Sequence, residues 1–284
     1  MQFGANTFIW RSPFSTDNDL DLIDKLKEMG FDRIEVAVED PALVDLAALK
    51  AALEKSGMKA IMCGAFGPGR NLSSLDPGER ANAEAYLKWM IDAAAELDAG
   101  PVIGPMYSAV GKDRLEDEAE REQEWGLAVS GLKEMCKYAA ERGVRLAFEP
   151  LNRFETDMVN VIEQGLKLIA DVGEPNLGML IDTFHMHLEE KDSATAIRTA
   201  GDRVFHVHAA ENDRGVPGTG QVDWVAAFEA LKDINYQGVV SIESFTPEVK
   251  SIARAVCIWR EIAPDQDTIA REGLKHLKSL PGVA

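Results

Sequence analysis

The sequence predicts an α/β protein built as a closed (β/α)₈ TIM barrel, and three observations support this fold class. Eight short apolar runs alternate with longer segments along the 284 residues. The longer segments repeat their apolar residues with a helical period, whereas the short runs are rich in β-branched residues. No tract rich in Pro, Gly or Ser divides the chain. We therefore expect a single barrel domain over residues 1–284 that ends in a C-terminal helix.

The eight predicted strands are short and apolar, as strands buried on both faces of a parallel sheet must be. They cover residues 3–8, 33–38, 59–66, 101–107, 145–149, 177–182, 204–208 and 239–243. The clearest helices are predicted over residues 20–29, 43–56, 79–97 and 118–142. Glycine follows four helical segments, at positions that favour a left-handed backbone. These residues are Gly30, Gly57, Gly143 and Gly173. The units share no repeat signature, which argues against a solenoid.

Charge and composition exclude several classes of protein. The chain has 48 acidic and 30 basic side chains and a net charge of −18, which argues against a nucleic-acid partner. Hydrophobic residues make up 46%, enough for a folded core. No apolar run approaches the roughly 18 residues of a membrane span, and no signal-peptide core is visible. Three scattered cysteines indicate neither a disulfide framework nor a zinc knuckle, so we expect a cytoplasmic location.

Four side chains able to bind a metal end four successive predicted strands. They are Glu149, Asp182, His208 and Glu243. In a barrel the chemistry lies at the C-terminal ends of the strands, where these side chains would meet. A buried carboxylate is costly unless it is paired or metal-bound, so we predict a metal site rather than a purely structural cluster. Three carboxylates and one imidazole suit Mn²⁺, Co²⁺ or Mg²⁺ better than structural zinc, with mixed-ligand zinc left open.

Two further side chains are predicted at the mouth of the barrel. His185 follows the sixth strand by three residues, where it would hold a substrate oxygen. Arg214 is the one cation of the glycine-rich loop after the seventh strand. It would bind a substrate hydroxyl or carboxylate, or else form a surface ion pair with Asp213 or Glu211.

His206 shares the strand parity of His208, so both side chains should point the same way. We assign the metal-binding role to His208, which lies at the end of the strand. His206 lies deeper, and we interpret it as a hydrogen-bonded core histidine.

Several segments of the C-terminal half resemble the ketose 3-epimerases, the group of D-tagatose, D-allulose (psicose) and L-ribulose 3-epimerases. The matching segments are FEPLNRFE at 148–155, LIDTFHM at 180–186, the stretch 206–218, IESF at 242–245 and IWR at 258–260. The resemblance extends over essentially the whole chain. It implies a xylose-isomerase-like (β/α)₈ barrel that forms a homo-oligomer, either a dimer or a tetramer.

The resemblance also implies roles for individual residues. One divalent metal ion, commonly Mn²⁺ or Co²⁺, would be bound by Glu149, Asp182, His208 and Glu243. The two glutamates of this set would also be the catalytic acid and base. The oxygens of a small ketose would be held by Glu155, His185 and Arg214.

Epimerisation at C3 of a ketose removes a proton beside a carbonyl and returns it on the opposite face through a cis-enediolate. Such a reaction needs a base on each face and positive charge for the intermediate, and it needs no organic cofactor. The sequence also contains no dinucleotide fingerprint and no phosphate-binding glycine loop, which favours a free sugar over a phosphorylated one.

Some positions depart from the family pattern, and they put the identity of the sugar in question more than the chemistry. They are Asn6, Trp10, the segment 103–107, His187, Ala209 and Ala210. The alternative functions are an aldose–ketose isomerase, a C-glycoside-deglycosylating subunit and a catalytically silent sugar-binding barrel. An endonuclease IV-like enzyme is disfavoured by the charge of −18.

Overall fold

The structure is a computed structural model that describes residues 1–112 and 118–283, and its centre is a closed barrel of eight parallel strands. The strands are β1 (Gln2–Asn6), β2 (Arg33–Val38), β3 (Lys59–Gly64), β4 (Val102–Gly104), β5 (Leu146–Phe148), β6 (Leu177–Asp182), β7 (Val204–Ala209) and β8 (Val239–Ile242). Each strand pairs with the next, and β8 closes the barrel by pairing Val240 with Phe3 of β1. The predicted fold class is therefore confirmed.

Helices connect the strands on the outside of the barrel. They are α1 (Asp21–Met29), α2 (Leu46–Ser56), α3 (Pro77–Glu96), α4 (Glu118–Ala140), α5 (Ile162–Val172), α6 (Thr183–Glu189), α7 (Ser193–Ala200), α8 (Trp224–Asp233), α9 (Lys250–Ala255) and α10 (Gln266–Lys278). Aspartate side chains cap several helix N-termini by accepting backbone N–H groups, as Asp45 does for α2 and Asp76 for α3. The four glycines expected after helices all have positive φ. None of the helices in the described ranges is long and apolar enough to cross a membrane.

Five predicted strands are shorter than expected at their C-terminal ends, three of them (the first, third and fourth) by two or more residues. The first stops at Asn6 because its side-chain oxygen accepts the N–H of Phe8 and starts a 3₁₀ turn over Thr7–Ile9. The fourth stops at Gly104, whose φ is +125°. A Cβ atom there would lie 2.5 Å from the backbone oxygen of Gly64, the last residue of β3, so the close approach of these two strand ends requires glycine at position 104.

The barrel interior is layered, and the layering sets the depth of the polar residues. An apolar floor is formed by Ile61, Ile103, Ala147, Leu180 and Val239. Side chains two residues further along a strand point the same way. Cys63, Glu149 and Asp182 therefore stand directly above the floor, at the C-terminal end of the barrel.

Candidate active site

The structure brings the four predicted metal ligands together. One ligand atom from each of Glu149, Asp182, His208 and Glu243 lies within 4.8 Å of all the others. The Nδ1 atom of His208 is 3.7 Å from Glu149 Oε1, 3.8 Å from Asp182 Oδ2 and 3.5 Å from Glu243 Oε1. These separations exceed ordinary hydrogen bonds. They suit atoms that share one ion, because each would contact it at about 2 Å.

Two atoms of this cluster have no hydrogen-bond partner among the described residues. They are Oε1 of Glu149 and Nδ1 of His208, and both are buried. Buried polar atoms are normally hydrogen-bonded, so two unpartnered atoms that face one another need an explanation. A cation would be attracted by both atoms at once. The residues therefore fit a divalent cation with a preference for oxygen and imidazole ligands.

The two glutamates of the cluster have different protonation preferences. Burial raises the pKa of Glu149 to about 8. Burial also opposes ionisation of Glu243, but the neighbouring His208 and Arg214 outweigh it and lower the pKa of Glu243. Burial lowers the pKa of His208, whereas the carboxylates of Glu35 and Glu243 raise it, and the raising effect prevails. Near neutral pH, without a cation, Glu149 is therefore largely protonated while Glu243 is ionised.

Arg214 points into the barrel, so the surface ion pair considered from the sequence is wrong. Its Nη1 atom lies 2.8 Å from Asp182 Oδ2 and 2.9 Å from Glu243 Oε2, and the side chain is buried. The guanidinium lies 3.9 Å from the centre of the Phe184 ring. Asp213 instead pairs with Arg260, and Glu211 accepts the indole N–H of Trp224.

His185 and Glu155 are positioned by a shared neighbour, Asn152. The backbone N–H of Asn152 donates to Nδ1 of His185 at 3.0 Å, and its side-chain amide donates to Glu155 Oε1 at 2.8 Å. Burial lowers the pKa of His185 to about 3, so the ring is neutral. Its Nε2 faces Nη2 of Arg214 at 3.3 Å, and a guanidinium can only donate. This Nε2 lies 3.7 Å from Glu149 Oε1.

A cavity of about 260 Å³ opens above the cluster. Its polar lining includes Glu39, Glu149, Glu155, His185, Arg214 and Glu243. Its apolar lining includes Phe8, Phe66, Val110, Phe245, Ile252 and Val256. This volume is below the roughly 300–1,000 Å³ typical of sites for drug-sized ligands, so it suits a small molecule.

Two positions that depart from the family pattern, Trp10 and Asn6, are buried and hydrogen-bonded. The indole of Trp10 donates to Asp267 of α10 at 2.7 Å. The amide of Asn6 donates to Glu35 at 2.6 Å and lies 3.5 Å from Glu243 Oε1. Asn6 thus supports the cluster from below.

Glu35 is the residue of this region that the sequence analysis did not identify. It lies in the middle of β2, is fully buried, and contacts His206 and His208 at 2.8 Å each. The contact with His206 confirms the interpretation of that residue as a hydrogen-bonded core histidine. A signal was available, because a carboxylate in the apolar run RIEVAV must find a partner inside the barrel.

Comparisons with known proteins agree with this architecture. The profile of the xylose isomerase-like TIM barrel family matches residues 23–280. The chain is 35% identical to the probable ketose 3-epimerase of Synechocystis sp., over 98% of this chain and 96% of that protein. It is 31% identical to the L-ribulose 3-epimerase of Methylomonas sp., over 98% and 97% of the two chains. The crystal structure of a D-allulose 3-epimerase from Methylomonas sp. in complex with D-allulose superposes with a TM-score of 0.92 at 30% identity, covering 98% and 96%.

Proposed function

The chain belongs to the xylose isomerase-like TIM barrel family and, within it, to the ketose 3-epimerases, and we propose that it inverts C3 of a free ketose by proton transfer between two carboxylates with the help of a divalent cation. The family makes it an isomerase-class enzyme that acts on sugars. The residues that transfer the proton, the cation and its ligands are our proposal.

The observation that carries the proposal is the contrast between Glu149 and Glu243. Epimerisation needs one group that accepts a proton and another that donates one. Burial favours protonated Glu149, whereas His208 and Arg214 favour ionised Glu243. In one direction Glu243 removes the C3 proton and Glu149 supplies a proton to the opposite face. The roles are exchanged in the other direction.

A divalent cation held by Glu149, Asp182, His208 and Glu243 would, when bound, stabilise the negative charge of the enediolate. Mn²⁺ and Co²⁺ are our first candidates, followed by Mg²⁺, because the set contains three carboxylates and one imidazole. Asp182 accepts a hydrogen bond from Arg214 and so helps to hold the guanidinium beside the reacting carbon.

Three residues at the mouth of the cluster orient the substrate. Arg214 donates to substrate oxygens from within the cavity, and the neutral imidazole of His185, which lines the same cavity, hydrogen-bonds a substrate hydroxyl. Glu155 accepts a hydroxyl proton at the outer wall. Carboxylates dominate the described charged lining, and Arg214 is already paired with two of them. An uncharged sugar is therefore favoured over a sugar phosphate.

The test is isotope exchange with D-fructose, D-allulose, D-tagatose and L-ribulose in D₂O, using protein stripped with chelator and reloaded with Mn²⁺ or Co²⁺. We expect metal-dependent deuterium incorporation at C3 together with the C3 epimer. Exchange at C1 with formation of an aldose would instead indicate an aldose–ketose isomerase. Absence of exchange with bound metal would contradict the proposal and favour a silent sugar-binding barrel or a modified substrate such as a keto-glycoside.

We also propose that the chain forms one domain that assembles into a homo-dimer or tetramer. Two aromatic side chains support this assembly, because Phe154 is 72% and Trp259 is 73% exposed. Phe154 lies between β5 and α5, and Trp259 lies between α9 and α10. Light scattering coupled to size-exclusion chromatography should give a particle mass equal to two or four chains. A monomer at micromolar concentration would contradict the assembly.

We also propose the cytoplasmic location that is expected from the sequence. All three cysteines are free thiols, and Cys63 and Cys136 are buried. Cell fractionation would test this location.

A further inference from the structure

We propose that Glu35 is a positioning residue for the cation site, holding the ring of His208 so that only Nδ1 can bind the ion. This inference rests on the proposed function, because it concerns the same cation site. Glu35 itself does not line the cavity, so its proposed effect on the ion is indirect.

The hydrogen bonds of Glu35 fix which nitrogen of His208 carries the proton. Oε1 of Glu35 lies 2.8 Å from Nε2 of His208, and a carboxylate oxygen can only accept. Nε2 must therefore carry a proton and donate it. The other nitrogen, Nδ1, is then left with a lone pair in the neutral ring, and it faces Glu149, Asp182 and Glu243 at 3.5–3.8 Å.

The carboxylate of Glu35 is itself held by contacts on both oxygens. Oε2 lies 2.8 Å from Nε2 of His206, and Oε1 also accepts the amide of Asn6 at 2.6 Å. All four side chains are fully buried. The carboxylate therefore cannot rotate away from His208 without breaking a second hydrogen bond in the barrel interior.

These contacts also argue against Glu35 as a direct ligand. Atoms of Glu35, Cys63, His208 and Glu243 lie within 4.8 Å of one another and form a second candidate set. However, both oxygens of Glu35 already accept N–H groups, while Nδ1 of His208 and Oε1 of Glu149 have no partner among the described residues. The unpartnered atoms belong to the upper set, so Glu35 acts through His208.

Such a carboxylate behind a histidine ligand has two physical effects. It fixes the orientation of the imidazole, and its charge makes the ligating nitrogen more basic. Loss of this kind of support typically weakens metal binding about 10–100-fold. In Glu35→Gln the amide oxygen can still accept from His208, but the charge is lost and the amide NH₂ meets the N–H of His206.

The test compares metal binding of Glu35→Gln with a matched control, Glu124→Gln. Glu124 is also a buried carboxylate, but it pairs with Lys112 at 2.7 Å and belongs to neither candidate ligand set. We expect the dissociation constant for Mn²⁺, measured by competition with a chelator, to rise about 10–100-fold in Glu35→Gln and to stay within about twofold of the parent in Glu124→Gln. The visible spectrum of the Co²⁺-loaded protein should also change in Glu35→Gln alone.

Parent-like Mn²⁺ affinity and an unchanged Co²⁺ spectrum in folded Glu35→Gln would overturn the inference. If this variant does not fold, His206→Asn removes the contact on the other oxygen and should weaken Mn²⁺ binding more than Glu124→Gln does. Parent-like affinity there would also overturn the inference. A parent protein that binds Mn²⁺ but shows no C3 exchange would instead contradict the proposed function, so the two failures are distinguishable.

Discussion

Glu149 and Glu243 carry the same functional group at the C-terminal ends of two strands of the barrel, β5 and β8, but their neighbouring side chains differ. Glu243 lies 2.9 Å from the guanidinium of Arg214 and 3.5 Å from Nδ1 of His208. Glu149 has the same histidine at 3.7 Å but no contact with the guanidinium within ion-pair distance. Burial raises the pKa of Glu149, whereas at Glu243 the effects of His208 and Arg214 outweigh burial. The two carboxyl groups therefore have opposite protonation preferences, as a reversible proton transfer between two faces of a carbon requires.

Replacing either glutamate should stop catalysis without unfolding the protein. We expect Glu149→Gln and Glu243→Gln each to lower kcat by at least about 10²–10⁴-fold, because an amide cannot transfer the proton. Steady-state epimerisation assays would measure the loss, with circular dichroism to check the fold and metal analysis to check loading. Folded variants that epimerise as fast as the parent would exclude both residues from proton transfer.

Metal affinity should rise with pH. Burial lowers the pKa of His208, but the carboxylates of Glu35 and Glu243 raise it, and the raising effect prevails. The cation needs the lone pair of Nδ1, so each bound ion must displace a proton from this imidazole. The apparent affinity for Mn²⁺ should therefore increase by up to about tenfold per pH unit from pH 6 upward. Calorimetric titrations in buffers of different ionisation enthalpy would detect proton release, and a pH-independent affinity would contradict the assignment.

Arg214 should affect turnover more than metal binding. In Arg214→Gln a donor to the substrate and the charge that keeps Glu243 ionised are both lost, so we expect kcat/KM to fall by at least about 10²-fold. The dissociation constant for Mn²⁺ should not rise, because a competing positive charge is removed from Asp182 and Glu243. Arg260→Gln is the matched control, since Arg260 pairs with Asp213 at the surface. Equal kinetics of the two variants would argue against a substrate role for Arg214.

Among the elements, the strand ends decide the shape of the site. The sequence predicted the last residue of β2 and of β6, but five other strands end earlier than predicted. Asn6 ends β1 through a local cap on the N–H of Phe8, whereas Gly104 ends β4 beside Gly64, a residue distant in the sequence. Periodicity in the sequence reports local burial and carries no information about such contacts.

The close approach of β3 and β4 predicts an unusually sensitive glycine. Gly104→Ala would place a Cβ atom 2.5 Å from the Gly64 backbone oxygen at φ +125°. We expect the free energy of unfolding in urea to fall by about 1–3 kcal/mol. Gly126→Ala is the control, because Gly126 is an exposed helical glycine with nothing within 4 Å of a new Cβ, and it should gain up to about 1 kcal/mol. Equal effects of the two substitutions would contradict the described strand contact.

The sequence predicted more of the ligand cluster than of the structure that supports it. The four proposed ligands end their apolar runs, and barrel topology brings such ends together. The supporting roles of Glu35 and Asn6 were harder to predict, because each residue lies in a short apolar segment that is typical of any buried strand. The pairing of β1 with β2 brings Asn6 to Glu35, and two side chains of β7 that point into the barrel, His206 and His208, contact the same carboxylate. These contacts join strands that are far apart in the sequence and form only when the barrel closes.

At the scale of the whole molecule, the barrel separates the supporting residues from the proposed reacting ones. Glu35 and His206 are paired in register with two residues of the apolar floor, Ile61 and Leu180. Of the four proposed ligands, Glu149 and Glu243 line the cavity. The chain carries a net charge of −18, and several of its carboxylates are concentrated in this site. A bound cation would relieve their mutual repulsion, so binding of the ion and stability of the barrel should be coupled.

The most direct test of the central claim, transfer of a proton between two carboxylates, is the position of deuterium early in the reaction. The Mn²⁺-loaded enzyme is incubated with one ketose in D₂O, and substrate and product are analysed by NMR below about one tenth conversion. If Glu149 and Glu243 act on opposite faces, the C3 epimer should contain deuterium at C3 while the remaining substrate keeps its hydrogen. An epimer that retains the original C3 hydrogen, or deuterium at C1 accompanied by an aldose, would contradict the two-carboxylate mechanism.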